Sequence, residues 1–396
     1  MAELSFGVDE FQFTLFSVTV DNNIENDTEF ELDSSSWVDL VREMLSEFRR
    51  LSQIEEVFGT RLRTLVYGKT RGYDDGLTFP DEPYFFSICW SSRAKNWNMG
   101  VSIRFSAHAW AVYQRNYLEK SGKSINIAEF WQMIQSPEIY KTRMSRIDFD
   151  ADVIEFDNAS PDYIARHKIR VEKADGRKSN RNTRKIEKNG IVQTIYYGNS
   201  GNSPCSCTVY DKKAEAIEKN NFRRHEAEKV ESWTRIEVRF RDTYAWQISD
   251  DFLLNPPQTD EDMKRYIAHR IAERYRFIDS KTDKPLEFSQ KIIEAGEGAG
   301  YGDLIKPSPR DNDLYKSLMY QANPMSGLFS LLFKMRCVYK DTPDADRKTL
   351  DFLYSVYESH YLTTAYDNLE LLRWRRIHEK ESRRISIEDM LSIGEE

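Results

Sequence analysis

The chain has 396 residues, 57 Lys and Arg against 65 Asp and Glu, a formal net charge of −8, and 40% hydrophobic residues. That composition fits a folded chain of two or three domains and excludes both a uniformly basic nucleic-acid binder and a low-complexity disordered chain. No apolar run reaches the ~20 residues of a membrane span, and the N-terminus lacks the basic start and apolar core of a signal peptide, so a cytoplasmic protein with no membrane association is expected.

Ser35 or Ser36 can cap a helix in which Trp37, Leu40, Val41, Met44, Leu45 and Phe48 follow the 3.6-residue period. Strands are expected at 62–67, 84–90 and 98–105, helices near 108–119 and 126–135, and a strand from Met144 to Val153. A helical start at Ser160-Pro161 leads into a segment, Arg166 to Lys188, with ten Lys/Arg against Glu172, Asp175 and Glu187. Asn189-Gly190 reads as a turn between strands, with further strands at 191–198, 205–210 and 232–240. Beyond about residue 243 the pattern turns helical, at 259–278, 312–320, 325–339, 345–360 and 364–385, with a Gly- and Pro-rich linker or long loop from Gly296 to Pro309. The fold class is therefore α+β. An antiparallel sheet with helices on one face forms a first domain, 1–245, and a mostly α-helical domain follows, 246–396.

Three strands share a pattern. Ile147, Phe149 and Ala151 alternate with Arg146, Asp148, Asp150 and Asp152; Ile236 and Val238 with Arg235, Glu237 and Arg239; Cys205, Cys207 and Val209 with Ser206, Thr208 and Tyr210. In one antiparallel sheet the apolar sides would lie under helices and the other side would be a wet, charged surface. Three aspartates on one strand face repel each other. Either a divalent cation relieves that, with all-oxygen ligation favouring Mg²⁺, Mn²⁺ or Ca²⁺ over zinc, or the strand is an exposed acidic one balanced by Arg146, Arg235 and Arg239. Tyr210 opens Tyr-Asp-Lys-Lys-Ala-Glu, running to Glu215. A free phenol titrates near pH ~10; Lys212, Lys213 and a metal would favour the phenolate and neutralise a phosphate.

Other chemistries find no support. Only Cys205 and Cys207 of the four cysteines are close, and a lone C-x-C without a neighbouring His is a poor zinc site, so reduced thiols are expected. The six histidines form no His-x-His pair, and there is no G-x-x-x-x-G-K-S/T, H-E-x-x-H or G-x-S-x-G.

In chain order, Arg146-Ile-Asp148 with Asp152, Ile195-Tyr-Tyr-Gly198, Val209-Tyr210-Asp-Lys-Lys213 with Glu215, and Trp233-x-Arg235-x-Glu237 resemble the Rep_trans family. That family contains initiators of staphylococcal-type rolling-circle plasmids and related relaxases of integrative conjugative elements. Its pattern is R-[IL]-D-x-x-x-D, Y-[FY]-G, [IV]-Y-x-K-x-x-E and W-x-R-x-E, and the match covers roughly 143–240. The resemblance implies that Tyr210 is the nucleophile, with Lys212 near the scissile phosphate and Glu215 in the same motif. It implies that Asp148, Asp152 and Glu237 hold Mg²⁺ or Mn²⁺. Arg146, Lys213 and Arg235, with Arg177, Lys178, Arg181, Arg184 and Lys185 of the basic segment, are the expected DNA contacts. One departure stands out. Members usually carry Arg between the Y-[FY]-G glycine and the tyrosine, whereas Asn199 to Val209 has no basic residue, and the basic segment before Asn189 is the expected substitute.

The implied activity is nicking and rejoining of plasmid origin DNA, a hairpin or single strand at the nick site, through a covalent 5′-phosphotyrosine that leaves a 3′-hydroxyl primer. A homodimer, a host superfamily 1 helicase and a DNA polymerase are implied by the resemblance alone. The alternatives are a conjugative relaxase with the same chemistry, a non-catalytic DNA-binding regulator, and a metal-dependent hydrolase using water. Phosphate contacts carry no sequence information. Base readout is therefore expected from helices after 245, with Lys264, Arg265, Arg270, Arg274 and Arg276 on one and Arg373, Arg375, Arg376, Arg383 and Arg384 on another.

Overall fold

A computed structural model describes residues 2–20, 33–70, 72–79, 86–179, 182–198, 203–304 and 327–360. Its strands are β1 (Glu3–Ser17), β2 (Arg63–Thr64), β3 (Asp75–Thr78), β4 (Phe86–Trp90), β5 (Val101–Phe105), β6 (Tyr140–Ile154), β7 (Ile169–Glu172), β8 (Thr183–Lys188), β9 (Ile191–Tyr197), β10 (Cys205–Asp211), β11 (Trp233–Arg241), β12 (Arg276–Asp279) and β13 (Lys284–Pro285). Ten form one sheet in the order β2-β3-β4-β5-β1-β6-β11-β10-β9-β8; β13-β12-β7 form a small second sheet. Every pairing is antiparallel. The expected α+β architecture is observed.

The two 15-residue strands β1 and β6 run side by side at the centre of the large sheet. Strict alternation cannot put both Val8 and Phe11 of β1 on the core face, since they are three apart. A bulge at Asp9 resolves this: Val8 pairs with Phe149 and Glu10 with Asp148, leaving Asp9 as the extra residue. A second irregularity opposite Gln12–Phe13 does the same for Met144 and Ile147. Strand β1 lies outside the strands expected from sequence, because these bulges break its period. The strand expected at 98–105 begins only at Val101. Gly100 sits at φ 61°, and a Cβ there would lie 2.4 Å from the Leu15 carbonyl oxygen.

Helices cover the apolar face. They are α1 (Ser34–Ser52), α2 (Ala107–Ser121), α3 (Ile127–Met133), α4 (Lys212–Glu218), α5 (Thr243–Leu254), α6 (Asp260–Arg274) and α7 (Glu287–Gly296), of which α4 belongs to the site described below. Phe48 of α1, Trp110 of α2 and Phe130 and Trp131 of α3 meet Phe11 and Phe13 of β1 edge-on, and Tyr266 of α6 meets Phe149 of β6. The α1 cap is Asp33, accepting from the Ser36 amide at 2.7 Å, in place of the expected Ser35 or Ser36; a capping carboxylate adds a favourable interaction with the helix dipole.

Helices α5, α6 and α7 pack on the sheet, so the first compact unit is Met1–Gly300 and the second Tyr301–Glu396. The boundary falls inside the expected Gly296–Pro309 linker and not at 245, because the apolar faces of α5 and α6 complete the core of the sheet. In the second unit the described helices are α8 (Gly327–Val338) and α9 (Ala345–His360), matching two of the expected helical segments. The helices expected at 312–320 and 364–385 lie outside the described residues. Three cysteines are buried thiols and Cys337 is exposed. Among the described residues no helix is long and apolar enough to cross a membrane.

Candidate active site

On the sheet's polar face, the antiparallel register of β6 and β11 sets Asp152 opposite Arg235, Asp150 opposite Glu237 and Asp148 opposite Arg239. Strand β1 adds Glu10 opposite Asp148, the bulged Asp9, and Gly7 opposite Asp150. A Cβ on Gly7 would lie 3.2 Å from Asp150 Oδ2, so the glycine leaves room for that carboxylate. The face is not the wet surface expected from alternation. Asp148, Asp150 and Asp152 are all at least 95% buried, because arginines close over them.

Two of the three aspartates are saturated. Asp148 bonds Arg146 and, at 2.9 Å, Arg239. Asp152 takes both nitrogens of an Arg235 fork at 2.7 and 2.8 Å, and Arg223 at 2.8 Å. Burial alone would raise the Asp152 carboxyl, but Arg235 and Arg223 outweigh it and hold it below the usual range. The other acids are under-compensated. Among the described residues Asp150 pairs only with Arg235, at 3.6 Å; burial pushes it up to about 7. Glu237 meets Arg239 at 3.1 Å; burial and then the charges of Asp9 and Asp148 push it well above the carboxylate range. Asp9 bonds Arg235 at 2.6 Å. Uncompensated charge on hard oxygen donors is what a divalent cation relieves. Asp150 and Glu237 are less fully paired than Asp148 and Asp152, but neither Asp9, Asp150 and Glu237 nor the sequence-derived Asp148, Asp152 and Glu237 form a ligand cluster among the described residues.

Tyr210, near the end of β10, faces Arg235 across the β10–β11 ladder. It lines an open cavity of about 890 Å³ together with Asp9, Glu10, Glu237 and Lys212. Burial, then the neighbouring Glu237, Asp9 and Glu215, push its phenol well above the ordinary range, against the pull of Arg235. The expected activation by two lysines is half present. Lys212 lies 5.5 Å from the Tyr210 ring centroid and is held by Glu215 at 2.8 Å. Lys213 instead donates to the carbonyls of Val230 and Glu231, because it is the next residue along helix α4 and projects away. Glu215 also binds Lys219 and Asn221, so it organises the loop after α4.

The expected DNA contacts divide by burial. Arg235 is 5% exposed and its guanidinium is committed to Asp9 and Asp152; Arg146 is committed to Glu10 and Asp148. Both shape the acidic face instead of presenting charge to a phosphate. Arg177, Lys178, Arg184 and Lys185 are exposed, and Arg184 stacks 4.6 Å over Tyr196, a wall of the cavity. Arg181 lies outside the described residues, as do Arg373 to Arg384. On α6, Arg270 is fully buried, bonding Asp251 at 2.7 Å and Glu273 at 3.0 Å, and Arg274 is buried against Glu273. These are core ion pairs, so α6 is not a groove-reading helix through Arg270 and Arg274; the apolar contacts of α6 turn that face inward. Lys264 and Arg265 remain at the surface, paired with Glu261 and Asp262.

The sequence reading missed Asp9 and Glu10. The available signal was the failed alternation Val8-Asp-Glu-Phe11, which demands a bulge once both apolar residues are placed in the core. Asp150 was seen on the right face but not separated from its neighbours.

Residues 142–293, from β6 to α7, match the model of the Rep_trans family, described as replication initiation factor. The resemblance drawn from four short motifs therefore extends over a longer stretch of the chain. The fold is similar to that of the rolling circle replication initiator protein from Geobacillus stearothermophilus, with 17% identity and a TM-score of 0.47 over 74% of this chain and 97% of that one. No curated protein matches the chain.

Proposed function

We propose that the chain nicks and rejoins one strand of DNA at a rolling-circle origin, with Tyr210 as nucleophile. The observation that carries the reading is the shared cavity: a tyrosine beside a lysine, with Asp9, Glu10 and Glu237 in the same lining, and Glu237 raised well above the carboxylate range by burial and its acidic neighbours. The phenol oxygen of Tyr210 bonds to the scissile phosphorus and the bond to the 3′ oxygen breaks. The phenol proton leaves as the new bond forms, since burial disfavours a free phenolate, and the departing 3′ oxygen gains a proton to become the primer hydroxyl. The 5′ phosphate stays on Tyr210 as an ester, so closure by the reverse attack needs no nucleotide.

Asp150 and Glu237, with Asp9, are the residues that would hold Mg²⁺ or Mn²⁺, and the bound ion would polarise the non-bridging phosphate oxygens. Lys212 places a positive charge on the Tyr210 side of the phosphate, and Glu215 fixes its position. Arg235 and Arg223 keep Asp152 ionised and hold the acidic strands together. The exposed Arg177, Lys178, Arg184 and Lys185 supply backbone contacts beside the cavity, in place of the arginine missing between Asn199 and Val209. The second unit, or a dimer formed with it, is the candidate for origin recognition.

Incubation with Mn²⁺ and a supercoiled plasmid carrying the origin should give nicked circles and a detergent-resistant protein–DNA adduct, both absent in Tyr210→Phe. Peptide mass spectrometry should place the adduct on Tyr210. An adduct on Tyr196 or Tyr197, or full activity in Tyr210→Phe, would overturn the assignment.

A further inference from the structure

Opposite the charged strands, the same cavity has an aromatic edge. Phe222, 51% exposed, stacks against His108 with ring centroids 4.3 Å apart and planes 15° from parallel. Both residues line the cavity that holds Tyr210. A half-exposed phenyl ring is commonplace on a mobile tip, but this one is fixed from both sides. Asn221 donates to Glu215 at 3.3 Å and accepts from the Arg223 amide at 2.9 Å. Arg223 is anchored on Asp152 at 2.8 Å and lies over Trp233 at 4.3 Å. His108 sits in the first turn of α2, whose start is capped by Ser106. Burial, with Arg115 nearby, lowers its pKa, which favours the neutral ring. A flat, rigid, uncharged surface is thus held beside an acidic site that offers little to attract a base by charge.

We infer that the Phe222–His108 stack is a platform for a nucleobase of the single strand, next to the phosphate presented to Tyr210. A base stacks on an aromatic face whatever its identity. The platform would therefore hold the strand in register without reading sequence, and would favour a melted strand over duplex, whose bases are already stacked on one another. The inference rests on the reading that a single strand enters this cavity, but not on nicking itself.

The full-length protein is titrated, in EDTA and at fixed salt, against a fluorescein-labelled oligodeoxythymidylate 12-mer and against an abasic 12-mer of the same backbone charge. Wild type should prefer the thymidylate about ten-fold, as expected for one stacked base. Phe222→Ala should lose most of that preference while binding the abasic strand as before, and Phe222→Trp should restore it. Equal preference in wild type and Phe222→Ala would overturn the platform, as would a parallel loss for both oligonucleotides. The nicking reading fails separately: if Phe222→Ala behaves as expected but wild type forms no Tyr210 adduct on plasmid, the cavity binds single strands without cutting them. If the adduct forms and the preference survives Phe222→Ala, nicking stands and the platform falls.

Discussion

Arg235→Met tests whether the arginines on the sheet's polar face are structural. Methionine fills much of the volume, so the change isolates the charge. Arg235 is 5% exposed, holds both Asp152 oxygens and Asp9 at 2.6–2.8 Å, and is, among the described residues, the one ion-pair partner of Asp150, at 3.6 Å. Removing one partner of a buried pair costs about 3–5 kcal/mol, far more than the pair itself contributes, because it strands the other charge. Here it strands several carboxylates, so the upper part of that range is expected at pH 7. The cost should depend on pH with a definite sign. In the native protein Asp152 is held below its usual range, so its pairing stabilises the fold above about pH 4 and fades as pH falls through the depressed value. Without Arg235 the stranded carboxyls are raised, so the variant is favoured while they are protonated and loses stability as pH rises past their unfolded value. The deficit should therefore be clearly smaller at pH 5 than at pH 7. Urea unfolding of the full chain in metal-free buffer, followed by tryptophan fluorescence at both pH values, measures it. A loss below about 1 kcal/mol at pH 7, typical of an exposed pair, or a loss equal at the two pH values, would refute the account.

The metal assignment predicts a split among the acids. Glu237→Gln and Asp150→Asn should each weaken Mn²⁺ binding, read by calorimetry, by about ten-fold or more. Asp148→Asn should leave it nearly unchanged while lowering stability, since Asp148 is held by Arg146 and Arg239; the opposite split would restore the ligand set read from sequence. Arg270→Met should destabilise the first unit by about 3–5 kcal/mol and leave the salt dependence of duplex binding untouched, because its guanidinium lies wholly inside the core. A weaker salt slope with unchanged stability would return Arg270 to the role of phosphate contact.

Much of the frame was legible. The alternation in β6, β10 and β11 placed Tyr210, Asp148, Asp150, Asp152 and Glu237 on one polar face, and the register bears that out. Pattern reading failed where the chain departs from period two. Strand β1 carries bulges, and with it Asp9 and Glu10 went unseen. The first boundary was placed at 245 because helices replace strands there. Yet α6 buries Tyr266, Ile267 and Ile271, and a helix that completes a sheet's core belongs to the sheet's domain whatever the change in secondary structure. Its arginines looked like a basic stripe for the same reason: sequence shows charge, not which charges are buried with a partner.

The same gap bears on the proposed ligand set. Alternation tells which residues share a face but not which are already neutralised, and on this face that distinction decides the chemistry. An Arg–Asp fork consumes a carboxylate's lone pairs, so on the proposed reading Asp152 would be a poorer donor to a metal than Asp150 or Glu237. Asp150 and Glu237, set opposite each other in the β6–β11 ladder, are less fully paired, Asp150 meeting Arg235 at 3.6 Å and Glu237 meeting Arg239 at 3.1 Å. Arginines at 235 and 239 frame Glu237 on its own strand, so they tie down the flanking aspartates and leave a gap in compensation at the middle of the ladder. That gap lies beside Tyr210, whereas the exposed cations Arg177, Lys178, Arg184 and Lys185 belong to a separate stretch ending on edge strand β8. On the proposed function an acidic chain could in this way hold a polyanion: the basic edge would take the backbone, and the negative centre would attract a cation before it meets the phosphate.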